Sequence, residues 1–338
     1  MKKSHRHNTA RQFSIIVLHF GSVEFTARCL FSLKEAFDAG CRIIVSCNSV
    51  KTESLDVYGE ARKIFGEESC SFVSGNDAAL KQELLSARCT VISNGGNIGY
   101  AAGNNAGAFA ALADEDTKWL WFLNNDTVVE KGSFKSLLEA VQDDENQIIG
   151  STVVDLDSPE IVQCAAGYFY NPCFSLIKPF CGNFLRSQLP AKLDARLDYI
   201  FGASICIPAS VFRKVNGFCE EYFLYYEEID FCMSATAATG CKLSWIPEVV
   251  VRHAGGATSG STGDDPAKKA FSHFHENYST FIFTYRHHKF LLPLVLATRL
   301  FAKPPLLIVR GQSYLIKSLF RAVSAFFKRI TSSNFKSD

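Results

Sequence analysis

Nowhere in the 338 residues do two cysteines stand as a CxxC pair, and no cysteine is followed three residues on by histidine. The 12 cysteines are scattered singly, which argues against a zinc cluster and against a redox dithiol. A large chain without a secretion signal is expected to keep such thiols reduced. No such signal is visible: Met1 to Arg11 is basic and polar with no apolar stretch behind it, and residues 1–12 read as a disordered tail. An excess of one charge is also missing. The net charge of +1 gives no overall field for a polyanion, so nucleic acid is not an expected partner. A spanning helix wants about 20 clean apolar residues, and none is expected here. The best stretch, Phe290 to Val309, is interrupted by Arg299, Lys303 and Pro304-Pro305.

With 47% hydrophobic and 20% charged residues, the chain has the material for one large or two ordinary domains. Phe13–Leu18, Cys41–Val45, Thr90–Ile92 and Trp119–Leu123 are short apolar runs suited to buried parallel strands. Helical spacing falls between them, over Phe25–Phe37, Asp77–Ala87 and Gly103–Leu112, and again over Gly132–Val141. This alternation predicts an α/β fold with a mostly parallel central sheet. Further strands are expected at Ile148–Val154, Tyr199–Ile207, Lys242–Ile246 and Val249–Val251, with helices at Pro208–Val215 and Tyr225–Thr239. Glu160–Leu185, rich in aromatics, cysteine and proline, reads as a substrate-side excursion, and Ala254–Asp265 as a mobile Gly/Ser/Thr-rich loop. From Ala267 the chain reads as a separate helical region, 267–338. Ile316 to Ile330 is a basic amphipathic helix there, suited either to an anionic membrane surface or to packing on its own domain.

Three places carry chemistry. The strand Trp119–Leu123 runs into Asn124-Asn125-Asp126, placing a carboxylate at a strand's C-terminal edge, where open sheets gather ligands. Upstream lies Asn94-Gly-Gly-Asn-Ile-Gly-Tyr-Ala-Ala-Gly-Asn-Asn-Ala-Gly107, a loop too rich in glycine to serve packing alone. The adjacent Glu227 and Glu228 follow two tyrosines at the start of a helix, with Asp230 in the same turn. An apolar flank there can lift a carboxyl pKa into a useful range. Arg252-His253-Ala-Gly-Gly256 ends a strand on histidine. Each feature has an ordinary structural reading as a turn or a cap.

In order, these pieces resemble the family 2 glycosyltransferases, especially the rhamnosyltransferase-like branch, over about Phe13 to Gly256. Asn97-Ile-Gly-Tyr-Ala-Ala-Gly-Asn-Asn105 is similar to that branch's Asn-x-Gly-Phe-Ala-Gly-Gly-Asn-Asn loop, and Leu123-Asn-Asn-Asp-Thr127 to its Leu-Asn-Pro-Asp-Thr. Phe201-Gly-Ala-Ser, Val215-Asn-Gly-Phe218, Phe223-Leu-Tyr-Tyr-Glu-Glu-Ile-Asp230 and Pro247 to His253 parallel its later segments. The resemblance implies a GT-A fold over 13–266 and an inverting transfer from a nucleotide-diphosphate sugar, dTDP-rhamnose or a UDP-sugar. The acceptor is a hydroxyl of a glycan or lipid-linked acceptor in surface polysaccharide synthesis. It further implies a Mg2+ or Mn2+ ion on Asp126 and His253, and Glu228 as general base. Glu227 and Asp230 would orient that base. The donor would be held by Asn48, Asn97, Gly99, Asn104, Asn124 and Asn125. The implied location is cytoplasmic, peripheral on the inner membrane. The family's Asp-Asn after the second strand is Cys47-Asn48 here, its Phe-Asp-Glu is Phe218-Cys219-Glu220, its base Asp is Glu228, and the arginine after its acidic cluster is Ser234.

Two other classes stay open on sequence. One is a nucleotide-sugar-binding protein of the same fold with reduced catalysis, suggested by these departures. The other is a nucleotidyltransferase, although His19 to Phe25 lacks the Arg and Lys that class carries after its first strand.

Overall fold

The computed structural model describes residues 9–74, 87–142, 146–193, 196–255 and 265–332. β1 (Phe13–His19) is buried along its whole length, as a strand covered on both faces must be. After it come α1 (Val23–Ser32), α2 (Lys34–Ala39), β2 (Arg42–Cys47), α3 (Lys51–Phe65), β3 (Cys70–Ser74), β4 (Cys89–Ser93) and α4 (Tyr100–Ala111). β5 (Trp119–Asn124) and β6 (Thr127–Val129) lead into α5 (Ser133–Ala140) and β7 (Gln147–Asp155). The excursion holds β8 (Val162–Ala165), β9 (Gly167–Asn171) and β10 (Leu176–Pro179). After it come β11 (Tyr199–Ile200), β12 (Ser204–Pro208), α6 (Ala209–Lys214), α7 (Glu227–Thr239) and β13 (Lys242–His253).

The main sheet runs β3-β4-β2-β1-β5-β12-β7-β13-β6, with β8 beside β7. β3, β4, β2, β1 and β5 are mutually parallel, while β12 is antiparallel to both neighbours. This is the expected α/β architecture. Alternation along each strand divides the core into two layers. Ile16, Ile44 and Phe122 face one, and Ile15, Ile43 and Trp121 face the other.

Several expectations are corrected. The helix expected over 25–37 breaks at Leu33. Ser32 is the cause: its hydroxyl bonds the Cys29 carbonyl (2.6 Å) and accepts from the Val129 amide (3.0 Å), so the side chain competes with the helix. Tyr199–Ile207 is two strands in two sheets, since β11 pairs with β9 and β12 joins β5. Lys242–His253 is one strand with a register shift between Ile246 and Val250, around Pro247, which has no amide to give. α3 and β3 were not anticipated. The chain is ordered earlier than expected: Ala10 is fully buried and its carbonyl takes the Cys41 thiol. The helix expected over 77–87 and the loop over 254–265 lie almost wholly outside the described residues.

The C-terminal region packs on the domain. α8 (Pro266–His287) starts with Asp265 capping the Ala267 amide (2.8 Å) and Pro266 in its first turn. α9 (Leu292–Ala297), α10 (Lys303–Val309) and α11 (Ile316–Thr331) come after it. Leu319, Ala322 and Phe326 of α11 are buried, with Phe326 against Phe281 of α8. The helix therefore packs on its own domain through one face. Lys289–Val309 is a helical run long and apolar enough, by length and composition, to cross a membrane, and is mostly exposed. The run passes through the expected interruption by a π-helical turn over Thr298–Ala302. Pro304 and Pro305 sit in the first turn of α10, where a missing amide costs little. Arg299 and Lys303 both turn inward onto Glu276 of α8 (2.8 and 3.2 Å).

Candidate active site

The glycine-rich loop is shaped by its own amides. Asn97 Oδ1 accepts from the Gly99 amide (3.0 Å), a side-chain-closed turn before α4. Gly99 has φ +94°, and a Cβ there would meet the Phe223 carbonyl at 2.8 Å, so only glycine fits. The Tyr100 amide donates to that same carbonyl (2.8 Å). Asn48 is buried beneath the loop. It donates to the Gly99 carbonyl (2.7 Å) and accepts from Asn94 (2.8 Å). Its expected place facing the nucleoside is corrected: both ends of its amide are spent holding the loop on β2. Asn104 donates to the Tyr100 carbonyl (3.1 Å), while its Oδ1 is buried without a partner among the described residues.

At the end of β5 the three polar residues diverge. The Asn124 amide donates to the Ala203 carbonyl (3.2 Å), stitching β5 to the turn before β12. Asn125 is buried and donates to Thr26 Oγ1 (2.9 Å) and the Phe20 carbonyl (3.2 Å), so it braces the β1–α1 turn and is not exposed to a donor. Asp126 turns the other way. β6 and β13 are antiparallel with Thr127 opposite His253, which brings His253 Nε2 to 3.3 Å from Asp126 Oδ1.

The hydrogen-bond network fixes the tautomer of that histidine. Gln163 Nε2 donates to the His253 carbonyl (2.8 Å) and lies 3.4 Å from an Asp155 oxygen. Its Oε1 must therefore be the atom 2.9 Å from His253 Nδ1. An amide oxygen only accepts, so Nδ1 carries a proton and Nε2 is the nitrogen turned to Asp126. With a neutral imidazole, Nε2 and the Asp126 carboxylate are two acceptors facing one another. That arrangement fits a cation between them, supported by the outer amide that orients the imidazole. Among the described residues no group of three or more potential ligands gathers. One carboxylate and one imidazole suit Mg2+ or Mn2+, which keep waters and phosphate oxygens in their remaining positions.

The acid pair is aimed by an unusual backbone. Tyr225 (φ +68°) and Tyr226 (φ +73°) are both left-handed, at a cost of about 1–3 kcal/mol each. Glu227 and Glu228 then open α7. Glu228 lies across Gly202, where any Cβ would overlap its carboxylate, and takes the Gly202 amide hydrogen. Burial lifts Glu228 to about 7. Burial, reinforced by the charge of Glu228, raises Glu227 further above the usual carboxylate range. The two carboxyls adjoin in this buried place, so carrying both charges at once is disfavoured.

Asp126 and the acid pair both lie near Tyr100. The Tyr100 hydroxyl donates to the Gly202 carbonyl (2.8 Å) and lies within the fields of Glu228, Glu227 and Asp126 together. Phe201, next to Gly202, sets its ring edge-on to His253 at 5.6 Å. Asp230 faces elsewhere. Its Oδ1 is held by the Tyr222 hydroxyl (3.0 Å), His287 Nε2 (2.7 Å) and Arg286 Nε (3.3 Å). Its expected catalytic place is corrected to an anchor between α7 and α8.

Residues 14–160 match the family described as glycosyl transferase family 2. The match covers less than half of the chain. The chain is similar to the low-salt glycan biosynthesis hexosyltransferase Agl10 of Haloferax volcanii, 28% identical over 43% of this chain and 45% of that one. The rhamnosyltransferase WbbL of Escherichia coli is 23% identical over 46% and 60%. The N-acetylglucosaminyl-diphospho-decaprenol L-rhamnosyltransferase of Mycobacterium tuberculosis is 25% identical over 59% and 67%. The chain thus spans about half to two thirds of the length of these relatives. In fold, the domain is similar to the crystal structure of GalNAc-T7 with UDP, GalNAc and Mn2+ (TM-score 0.51, 13% identity, 71% of this chain and 43% of that one). The expected GT-A architecture is thereby met.

Sequence reasoning missed Gln163, Tyr100 and Gly202 as members of the candidate site. Tyr100 and Gly202 lie inside motifs that the sequence displays. No spacing signal ties Gln163, in the excursion, to His253.

Proposed function

We propose that the chain is an inverting glycosyltransferase. It would move a sugar from a nucleotide-diphosphate donor, dTDP-rhamnose or a UDP-sugar, to a hydroxyl of a glycan or lipid-linked acceptor in surface polysaccharide synthesis. The observation that carries this reading is the meeting of Asp126–His253 and Glu227–Glu228 around Tyr100 and Gly202. The names of the relatives support the donor and acceptor classes.

In this reading Glu228 accepts the proton of the acceptor hydroxyl as its oxygen attacks the anomeric carbon. The bond from that carbon to the donor phosphate breaks, and its electron pair leaves with the nucleoside diphosphate. One displacement inverts the centre and needs no carboxylate nucleophile. Asp126 and His253 would hold Mg2+ or Mn2+, which when bound neutralises charge on the leaving diphosphate. Glu227 keeps Glu228 in place, and the Gly202 amide fixes the other side of the same carboxylate. The departure from the family's Asp at the base is absorbed locally, because the longer Glu228 lies flat over a residue that has no side chain.

The direct test incubates the purified protein with dTDP-rhamnose and a panel of UDP-sugars, with a glycosyl-diphospho-lipid acceptor, and follows product by mass spectrometry. Transfer from one donor is expected. Failure to bind or consume any donor would contradict the reading.

Orientation of His253 makes a separate prediction. Gln163→Leu removes the acceptor that fixes the imidazole and is expected to weaken Mn2+ retention about 10- to 100-fold. Mn2+ titration followed by electron paramagnetic resonance in the presence of UDP or dTDP reads this without turnover. Unchanged affinity would remove Gln163 from the site.

We further infer peripheral contact with the cytoplasmic face of the inner membrane. Phe290 (99% exposed), Phe301 (78%) and Val309 (85%) stand outward on the helical run, beside exposed Arg310. Apolar surface flanked by cations suits an anionic bilayer. Phe301→Asp with Val309→Asp is expected to move the protein from the pellet to the supernatant in sedimentation with phosphatidylglycerol vesicles. Unchanged co-sedimentation would contradict this contact.

A further inference from the structure

The left-handed pair Tyr225–Tyr226 aims the acid pair, yet nothing within that segment explains why two non-glycine residues stay there. The explanation lies on α8, a helix the chemistry above does not use. On one side, the segment is gripped by the glycine-rich loop through the Tyr100 amide on the Phe223 carbonyl. On the other, α8 meets each residue from Phe223 to Tyr226 in turn. The His275 ring stacks on Phe223 at 4.7 Å. Ser279 Oγ donates to the Leu224 carbonyl (2.9 Å). The Tyr225 hydroxyl lies 2.5 Å from Ser272 Oγ. The Tyr226 hydroxyl lies 3.1 Å from Thr280 Oγ1, whose own hydrogen goes to the Glu276 carbonyl (2.7 Å). One turn into α7, His287 reaches Asp230 (2.7 Å). Ser272, His275, Ser279 and Thr280 recur at helical spacing, so one face of α8 is written to this segment.

We propose that α8 is the clamp that holds the Tyr225–Tyr226 turn and thereby aims Glu228. Ser272, Ser279 and Thr280 are its positioning residues, and Asp230–His287 is its second anchor. Both tyrosines are locked at their far ends, by hydroxyl pairs in a largely buried interface. A backbone in a sparsely populated region persists only when its surroundings over-determine it. The clamp also explains why a region outside the matched family segment is continuous with the domain core: Phe281 and Phe283 of α8 are fully buried in it.

The inference rests on Glu228 being the base, and its test separates the two. The full-length protein is compared with Ser272→Ala/Thr280→Val and with Thr280→Ser. Hydrogen exchange over residues 222–230 is measured together with transfer kinetics and the melting temperature. The double variant is expected to exchange faster over 222–230 and to lose about 10- to 100-fold in kcat, the effect of moving a reacting group by about an ångström. Donor KM and melting temperature should hold. Thr280→Ser, which keeps the hydroxyl, should match the unmodified protein in both exchange and kcat. Unchanged exchange over 222–230, or a loss confined to KM or tracking global melting, overturns the clamp. If the unmodified protein transfers no sugar, the proposed function falls, and exchange alone still decides the clamp.

Discussion

Glu228→Gln is expected to lower kcat by about 10²- to 10⁴-fold, the usual contribution of a positioned general base. The substitution keeps volume and a carbonyl oxygen for the Gly202 amide, so the fold and the turn before α7 should survive. What disappears is the ability to take a proton. The donor KM should change little, because the substitution leaves Asp126, His253 and the glycine-rich loop intact. The pH profile sharpens the test. Burial holds Glu228 at about 7, and the base works only when deprotonated. The unmodified protein should therefore gain rate as pH rises through about 7 and level off above it. In Glu228→Gln the residual rate should lose that limb. A glutamine variant with the full rate would move the base elsewhere.

Asp126→Ala is expected to lower transfer by at least about 100-fold, since a Lewis acid on the departing diphosphate is worth several kcal/mol and each 1.36 kcal/mol is about a factor of ten. The side chain is almost completely buried, and its removal leaves His253 Nε2 facing an empty space. The loss should come with weaker Mn2+ binding and should not be recovered at saturating donor. Asp126→Ala with undiminished transfer in chelator would remove the ion from the mechanism.

Most of this was legible because the carriers are local. The apolar runs of β1, β2 and β5 sit in an uninterrupted core, and a strand covered on both faces announces itself by composition alone. Asp126, Glu228 and His253 stand in short ordered motifs, which made them visible as candidates. α3 was not legible for a plain reason. Its buried positions are Ser54, Val57, Ala61 and Phe65, two of them small or polar, so the periodic signal is faint. The asparagines and glycine assigned to the donor show the opposite failure. Composition marks the loop as special but does not say which amides face outward. Asn48 and Asn125 proved to be internal braces because buried backbone groups of neighbouring turns needed partners. Asp230 was grouped with the catalytic acids by adjacency, whereas the helix phase and the cations of α8 turned it away. Tertiary partners such as Gln163 and α8 lie far along the chain, and a single sequence carries no record of that contact.

Diffraction from crystals grown with MnCl2 and either UDP or dTDP tests the central claim most directly. The expected result is an anomalous manganese peak between Asp126 and His253, with the diphosphate lying between that peak and the Glu228 carboxylate. Manganese seated away from Asp126, or a nucleotide bound on a face that Glu228 does not reach, would contradict it.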